Sequence, residues 1–193
     1  QLGNPDLKWE TTRQWNVGLT TSLFKEHIDL ELNYYNKYTY DLLLPKAVPG
    51  KTGFTSIVDN SGEISNRGIE LAVSTLNVSR RKFNWRTTFT LAHNKNKIEK
   101  LTTDVSGNYT PFKLFEGYPL YSMWVYEYLG VDPQTGDAIY NDVKPDGKIT
   151  VDDKIVVGDA WPLIEGTFRN TLNIGAFNLD VNFYYKYGNK VFN

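Results

Sequence analysis

The chain has 193 residues, of which 15% are aromatic and 22% charged, with a formal net charge of -1, two histidines and no cysteine. The absence of cysteine excludes a disulfide scaffold and a thiolate metal site, and two histidines leave almost none of the usual catalytic-metal sets. The balanced charge argues against a nucleic-acid partner, and no apolar run approaches the ~20 residues of a membrane helix.

Six segments alternate apolar and polar residues with period two, which indicates β-strands rather than helices. In chain order, their apolar residues are Trp15, Val17, Leu19, Leu23; Ile28, Leu30, Leu32, Tyr34, Tyr38, Tyr40; Ile69, Leu71, Val73; Phe83, Trp85, Phe89, Leu91; Phe168, Leu172, Ile174; and Phe177, Leu179, Val181, Phe183, Tyr185, Tyr187. The second and sixth segments cover about 11 residues or more, enough for a tilted strand to cross hydrocarbon. The intervening residues are mostly polar, so each predicted strand has one apolar and one wet face.

Short and long connections alternate between these strands. Short turns are predicted at 25–27, 77–82 and 175–176, and long connections at 43–61 and 99–162. Tight periplasmic turns and long external loops are typical of outer-membrane barrels, whereas soluble sandwiches rarely hold loops this long. We therefore place both long segments outside the cell. Within the second, Tyr121 to Tyr140 predicts an external hairpin that turns at Asp132 to Asp137.

The predicted fold class is all-β, an antiparallel transmembrane β-barrel segment of six strands plus the external hairpin. About eight strands make the smallest closed membrane barrel, so six leave two open edges. We therefore expect residues 1–193 to form part of a larger β-barrel domain. Lipid contact is predicted for Leu19, Ile28, Leu30, Leu32, Phe89, Leu179 and Val181.

An aromatic cluster stands near the start of the second long segment. Its members are Tyr118, Tyr121, Trp124, Tyr126 and Tyr128. Exposed aromatic faces suit stacking on the C–H faces of sugars, which makes the cluster a candidate ligand contact. The alternative is packing against neighbouring loops or a protein partner, because aromatic residues are enriched at interfaces as well. We favour the packing interpretation.

Residues 142–153 fit a calcium-binding loop in part. Positions 1, 5, 9 and 12 of the pattern are taken by Asp142, Asp146, Thr150 and Asp153. Lys144 stands at position 3, where an oxygen ligand is wanted, and Asp153 is shorter than the usual Glu. The alternative is a tight turn whose carboxylates accept backbone N–H groups. We favour the turn and expect no cofactor, with calcium as the open alternative.

The sequence offers few candidate catalytic residues. Asp29 and Glu31 lie on one face of a strand, near the ~5 to 9.5 Å separation that glycoside hydrolysis needs. They stand beside a predicted periplasmic turn, however, where an external substrate does not first bind. His27 and His93 each lack a second ligand in view. The sequence therefore predicts that the chain is not an enzyme.

Six motifs occur in the order seen in the C-terminal half of SusC/RagA-family barrels. They are NPDLKWETT at 4–12, NSGEISNRGIEL at 60–71, EGYPL at 116–120, VDPQTGD at 131–137, DGKITVDD at 146–153 and YGNKV at 187–191. Each is short, but their order and spacing together are specific. The chain therefore resembles the SusC/RagA family of TonB-linked outer membrane transporters over nearly its whole length.

The resemblance implies a barrel of about 22 strands in the outer membrane of a Gram-negative bacterium. It also implies contact with TonB through a segment absent from these residues, and a SusD-like lipoprotein that closes over the ligand. The implied function is active import of a nutrient, an oligosaccharide in preference to a peptide. The alternative from another class is a soluble β-rich carbohydrate-binding or adhesion module that presents the aromatic hairpin.

Overall fold

The computed structural model describes residues 3–102 and 111–192. In chain order the strands are β1 (Thr11–Leu23), β2 (Ile28–Ala47), β3 (Ser56–Arg80), β4 (Phe83–Leu101), β5 (Phe112–Lys113), β6 (Ser122–Tyr126), β7 (Tyr128–Val131), β8 (Ala138–Tyr140), β9 (Lys154–Asp159), β10 (Ile164–Ile174) and β11 (Phe177–Tyr187). Two short 3-10 helices, Gly50–Thr52 and Val151–Asp153, lie in the connections. No helix in either described range has the length and apolar character required to cross a membrane.

Six strands form one antiparallel sheet in the order β1-β2-β3-β4-β10-β11. The predicted all-β, antiparallel fold with six long strands is thereby confirmed. β10 pairs directly with β4, from Glu165 opposite Ala92 to Ile174 opposite Phe83. The chain between β4 and β10 thus leaves the sheet and returns beside its point of departure, and none of its described residues adds a strand to this sheet.

The register places the apolar residues of all six strands on one face. Paired residues in neighbouring strands point to the same side of a sheet. One row across the sheet joins Leu19, Leu32, Leu71 and Leu91. The next row joins Leu30, Val73, Phe89, Phe168 and Phe183. All seven residues predicted to contact lipid lie on this apolar face, and the contact itself stays a prediction.

The opposite face is polar along its whole width. One of its rows joins Thr20, Glu31, Ala72, Thr90, Thr167 and Tyr184. Side chains bond across the strands, as in the 2.8 Å contact between the hydroxyls of Thr90 and Thr167. Arg169 pairs with Asp180 on the same face. The sheet therefore separates an apolar surface from a hydrogen-bonded polar one.

Strand pairing extends further than the alternation predicted. Residues 43–61 were predicted as a long connection, but β2 continues to Ala47 and pairs there with Ser56 of β3, which leaves 48–55 between the strands. A bulge beside Asp41, which has a φ of 58°, shifts the pairing register after Thr39. The apolar run 42–44 that follows has no period two, so the sequence pattern ends before the strand does.

A second bulge alters the predicted turn at 77–82. β3 runs on through Asn77 to Arg80, with a register shift between Leu76 and Val78, and the turn is confined to residues 81–82. An extra residue in one strand interrupts the period-two signal while the pairing continues beyond it. In contrast, the predicted turn at Gly175 and Ala176 is confirmed.

The predicted hairpin Tyr121 to Tyr140 is correct only in its second half. β7 and β8 pair around the predicted turn, where Asp132 and Asp137 are bonded through their backbones at 2.9 Å. β6, which holds the first half, pairs instead with β5 and β9. Ser122 lies opposite Asp159, and this non-local pairing leaves no mark on local periodicity. Residues 103–110 of the predicted segment 99–162 lie outside the described residues.

Candidate functional site

The three-stranded sheet β5-β6-β9, here called the loop sheet, carries Trp124 and Tyr126 of the predicted aromatic cluster on β6, and Tyr118 and Tyr121 stand just before that strand. It is tied to the end of the main sheet by backbone bonds from Ile98 N to Tyr118 O (2.9 Å) and from Gly117 N to Ile98 O (2.8 Å). The side chain of Asn96 also accepts from Leu120 N at 2.7 Å. Ile98 and Asn96 are buried under these contacts. The loop sheet therefore has a fixed position at the end of the main sheet.

The five predicted aromatic residues fall into three groups rather than one platform. Tyr118 and Trp124 both contact Phe115, at ring separations of 6.0 and 6.1 Å. Tyr121 contacts Phe112 and Trp161. Tyr126 and Tyr128 both contact Tyr140, with centroids 6.0 and 6.1 Å apart. Four further aromatic residues, Phe112, Phe115, Tyr140 and Trp161, join these groups and were not predicted. Phe115 and Tyr140 lie near their partners through local turns, whereas Phe112 and Trp161 reach Tyr121 through the folding of the loop.

Within the cluster, the indole of Trp124 is engaged by the protein itself. Its Nε1 donates to the backbone oxygen of Lys154 at 3.0 Å. The ammonium groups of Lys113 and Lys154 lie 4.0 and 5.1 Å from the ring centroid, within the range of cation–π attraction. Trp124 is therefore placed to brace the loop sheet. Tyr118, Tyr121 and Tyr128 are the members with exposed side chains.

In the acidic loop, Asp153 holds the backbone together. It is 1% exposed and accepts from Thr150 N at 2.7 Å, from the Thr150 hydroxyl at 3.1 Å and from Lys144 N at 3.1 Å. The two backbone N–H groups are the largest influences that hold the pKa of Asp153 below its ordinary value. The carboxylate is thus stabilised in its charged form by N–H donors within the loop.

The other carboxylates of this loop also bond locally. Asp142 accepts from Gly147 N and Asp146 from Lys148 N, each at 2.8 Å. Lys144, at the position where calcium would need an oxygen, pairs with Asp152 at 2.7 Å. Within the described ranges no three His, Cys, Asp or Glu side chains converge into a metal-binding group. This geometry supports the turn interpretation, and calcium binding stays a prediction with a direct test.

We expect Asp146→Ala to remove a modest, calcium-independent stability of about 0.5 to 1.5 kcal/mol, because one N–H acceptor is lost. Calorimetric titration of the full-length protein with millimolar calcium should give no saturable heat. Asp137→Ala, in the neighbouring β7–β8 turn, is the matched control. A saturable heat with a Kd near 10⁻⁴ to 10⁻³ M, abolished by Asp146→Ala together with a calcium-dependent rise in Tm, would contradict the ion-free turn.

A shallow hollow of about 360 Å³ lies on the polar face of the main sheet, over the small residues Ala72 and Ala92. The carboxylates of Glu31, Glu70 and Glu165 border it. Glu165 accepts from the Tyr184 hydroxyl at 2.7 Å and pairs with Lys186 at 3.2 Å. The polar face thus presents an open, acid-edged surface.

The acidic pair considered for hydrolysis lies on the same face. Asp29 accepts from Ser22 at 2.7 Å and pairs with Arg86 at 3.5 Å. Glu31 accepts from Asn33 at 2.9 Å. The contacts of Asp29 reach β1 and β4, whereas that of Glu31 stays within β2.

Residues 1–191 match the family described as TonB dependent receptor-like, beta-barrel. The chain belongs to this family of TonB-dependent receptor β-barrels. Its members are receptors and transporters rather than enzymes, and the expected SusC/RagA resemblance is confirmed by named relatives and by solved structures.

TonB-dependent receptor P26 of Formosa agariphila is 37% identical over 216 residues, which cover 98% of this chain and 21% of P26. TonB-dependent receptor SusC of Bacteroides thetaiotaomicron is 31% identical over 107 residues, or 55% of this chain and 11% of SusC. The RagAB peptide importer in its "open-open" state matches 95% of this chain and 21% of its own, with a TM-score of 0.82 and 27% identity. Three curated relatives match this receptor chain over nearly all of its residues, and the chain spans about a fifth of their length.

Proposed function

We propose that the chain is a wall segment of an outer-membrane transporter that imports a nutrient in a TonB-dependent manner. The observation that carries this proposal is the two-faced register of the six-stranded sheet. One face carries the apolar residues of all six strands, and the opposite face carries their polar residues. A membrane barrel requires this division, because its outer face meets hydrocarbon and its inner face meets a wet lumen.

Apolar side chains on the first face are open rather than packed. Val17 is 64%, Phe177 80% and Phe183 60% exposed. Apolar patches of this extent mark a surface that is covered in the working protein. Membership of the TonB-dependent receptor family supports lipid as the cover of this continuous band.

The polar face suits the lumen for a complementary reason. Its charges are partly compensated in place, as in the pairs Arg86 with Asp29 and Lys186 with Glu165. Its hydroxyl and amide groups remain open to solvent beside them. In the complete transporter this face lines the lumen, and the acid-edged hollow over Ala72 and Ala92 is a contact for the passing solute.

The loop sheet is the proposed contact for a SusD-like lipoprotein and for the ligand that it delivers. Tyr118 and Tyr121 are exposed beside it, on backbone fixed to the strand ends, and Tyr128 is exposed on the neighbouring β7. Tyrosines of this kind stack on sugars and also pack against peptides or protein partners. The proposed cargo is an oligosaccharide or a peptide; sugar stacking favours the first, and the description of RagAB as a peptide importer favours the second.

Labelling on intact cells tests the topology. Cysteine in place of Lys51 or Gln134 should react with a membrane-impermeant maleimide, because both positions are exposed in connections at the long-loop end. Cysteine in place of Arg80, at the short-turn end of β3, should react only after the outer membrane is opened. The reverse pattern would invert the topology. A soluble module would instead yield a detergent-free, monomeric full-length protein that binds no hydrophobic dye.

A further inference from the structure

The apolar face changes its chemistry toward the end that carries the long connections. Its last apolar row joins Val17, Tyr34, Ile69 and the polar His93. The next row joins Trp15, Asn36, Arg67 and Lys95, and the row after it joins Arg13, Tyr38, Ser65 and Lys97. Four cations therefore follow directly on the apolar band, on the same face of the same strands.

Within the part of the chain that the structure describes, three of these cations form no ion pair. Within residues 3–102 and 111–192, Lys97 pairs with Glu99 at 2.6 Å, but no ion pair forms at Arg13, Arg67 or Lys95. The nearby acids have other partners. Glu99 accepts from Ser65 at 2.6 Å as well as from Lys97, and Glu63 accepts from the Tyr38 hydroxyl at 2.5 Å. The result is a basic patch without direct ion pairs, defined here as Arg13, Arg67 and Lys95, in which Arg67 is close enough to Glu99 to interact with it electrostatically.

A hollow of about 370 Å³ lies beside the basic patch and is lined in part by it. Its lining residues are Arg13, Trp15, Asn36, Tyr38, Tyr40 and Arg67. The indole of Trp15 is held against Tyr34, the last aromatic of the apolar band, at a ring separation of 5.3 Å. Two guanidinium groups therefore flank a recess whose other walls are aromatic and amide groups.

The position of the recess across the membrane determines which anion can reach it. Aromatic girdles mark the edges of the hydrocarbon band in membrane barrels, and Trp15, Tyr38 and Tyr40 occupy that edge here. The groups that a membrane presents at this depth are lipid headgroups. Guanidinium groups match phosphate oxygens with paired N–H donors, and long basic side chains reach the headgroup while their stems stay in apolar surroundings.

We infer that the basic patch binds the phosphate headgroup of an anionic outer-leaflet lipid, with the acyl chains along the apolar rows below. The inference rests on the proposed membrane placement, which puts the long connections outside. The ligand class is a phosphorylated glycolipid such as lipid A. Binding there fastens lipid against the barrel wall immediately beneath the loop sheet.

The test uses the full-length transporter in lipid nanodiscs, titrated with phosphorylated lipid A. We expect the triple variant Arg13→Gln, Arg67→Gln and Lys95→Gln to bind at least about ten-fold more weakly, whereas the control Lys37→Gln binds as the unmodified protein does. Lys37 is exposed on β2, next to Tyr38 but on the polar face. With unmodified protein, dephosphorylated lipid A should bind about ten-fold more weakly, a result that needs no variant to fold.

Equal binding of phosphorylated and dephosphorylated lipid A, or unchanged binding by a folded triple variant, would overturn the inference. Complete competition by millimolar inorganic phosphate would overturn it too, in favour of a free-phosphate site. The labelling at Lys51, Gln134 and Arg80 separates this from a failure of the proposed function. If labelling is as expected but lipid binding does not depend on phosphate, only the lipid site is refuted. If labelling is inverted, the topology on which the lipid site rests is refuted.

Discussion

Leu30→Arg is expected to destabilise the folded transporter by about 2 to 4 kcal/mol, the cost of arginine on the lipid face near the bilayer midplane. Leu30 lies in the middle of the apolar face, opposite Thr21 on β1 and Val73 on β3. It is three rows from the basic patch, too far for a guanidinium at this position to reach the polar groups at that end of the strand. The measurement is the free energy of unfolding of the full-length protein in lipid, from a denaturant titration.

Asn33→Arg is the matched control, three residues away on the same strand but on the polar face. Its neighbours there are Glu31, which accepts from Asn33 at 2.9 Å, and Glu70, which lies directly opposite. An arginine at this position meets two carboxylates and water, so we expect a change within about 0.5 kcal/mol. Similar losses at Leu30 and Asn33 would show that the two faces are wrongly assigned.

The assignment of faces could be predicted because the side-chain period of a strand is two and its environment here is two-sided. Leu19, Leu32, Leu71 and Leu91 come from four separate segments, yet the register aligns them in one row. Periodicity failed where a bulge interrupts it, beside Asp41 and at Asn77. It also failed for β6, whose partner Lys154–Asp159 lies far along the chain. In these places the strands are paired through backbone hydrogen bonds, whose donors and acceptors do not depend on the side chains. The residue types therefore carry little information about which strands pair.

The candidate site divides in the same way. The turn at Asp132 to Asp137 and the acidic loop rely on contacts within about ten residues, so their residue types predict them. The aromatic cluster instead depends on Phe112, Tyr140 and Trp161, which arrive through strand pairing and loop docking. The basic patch gathers one residue from each of β1, β3 and β4. Period two places each of them on the apolar face of its own strand, but only the register between strands brings the three side by side.

The motif Asn66-Arg67-Gly68-Ile69-Glu70 acquires a physical reason from the same register. Arg67 and Ile69 lie on the apolar face, whereas Asn66, Gly68 and Glu70 lie on the polar face. Asn66 accepts from Asn96 at 2.8 Å. Gly68 lies directly opposite Tyr35, whose ring crosses over the glycine to donate to Asn94 on β4 at 3.1 Å. A side chain at residue 68 would occupy the space that the tyrosine ring fills.

Gly166 lies under a tyrosine in a similar way, on the apolar face. Tyr185 pairs with Gly166 and donates to the Thr90 backbone oxygen on β4 at 2.7 Å, while its ring stacks on Phe89 at 6.1 Å. The two glycines differ in what a Cβ would meet. At Gly68 the nearest atoms belong to the Tyr35 ring, at 2.3 Å, whereas at Gly166 the nearest atom is the Thr90 backbone oxygen, at 2.0 Å.

We therefore expect Gly68→Ala and Gly166→Ala each to lower the free energy of unfolding by about 1 to 3 kcal/mol through overpacking. Gly50→Ala, where a Cβ would meet nothing within 4 Å, should change it by less than about 0.5 kcal/mol. The single variants establish the size of each clash, measured by denaturant titration in lipid.

Double variants then separate the two mechanisms. Tyr35→Ala removes the atoms that a Cβ at residue 68 would strike, so Gly68→Ala combined with Tyr35→Ala should be less destabilised than the sum of the single variants, by about 0.5 to 3 kcal/mol. Tyr185→Ala leaves the Thr90 backbone oxygen in place, so its effect should add to that of Gly166→Ala. Additive losses at Gly68 with Tyr35, or rescue at Gly166 with Tyr185, would contradict the register, because the first requires the ring to lie elsewhere and the second requires the backbone contact to be absent.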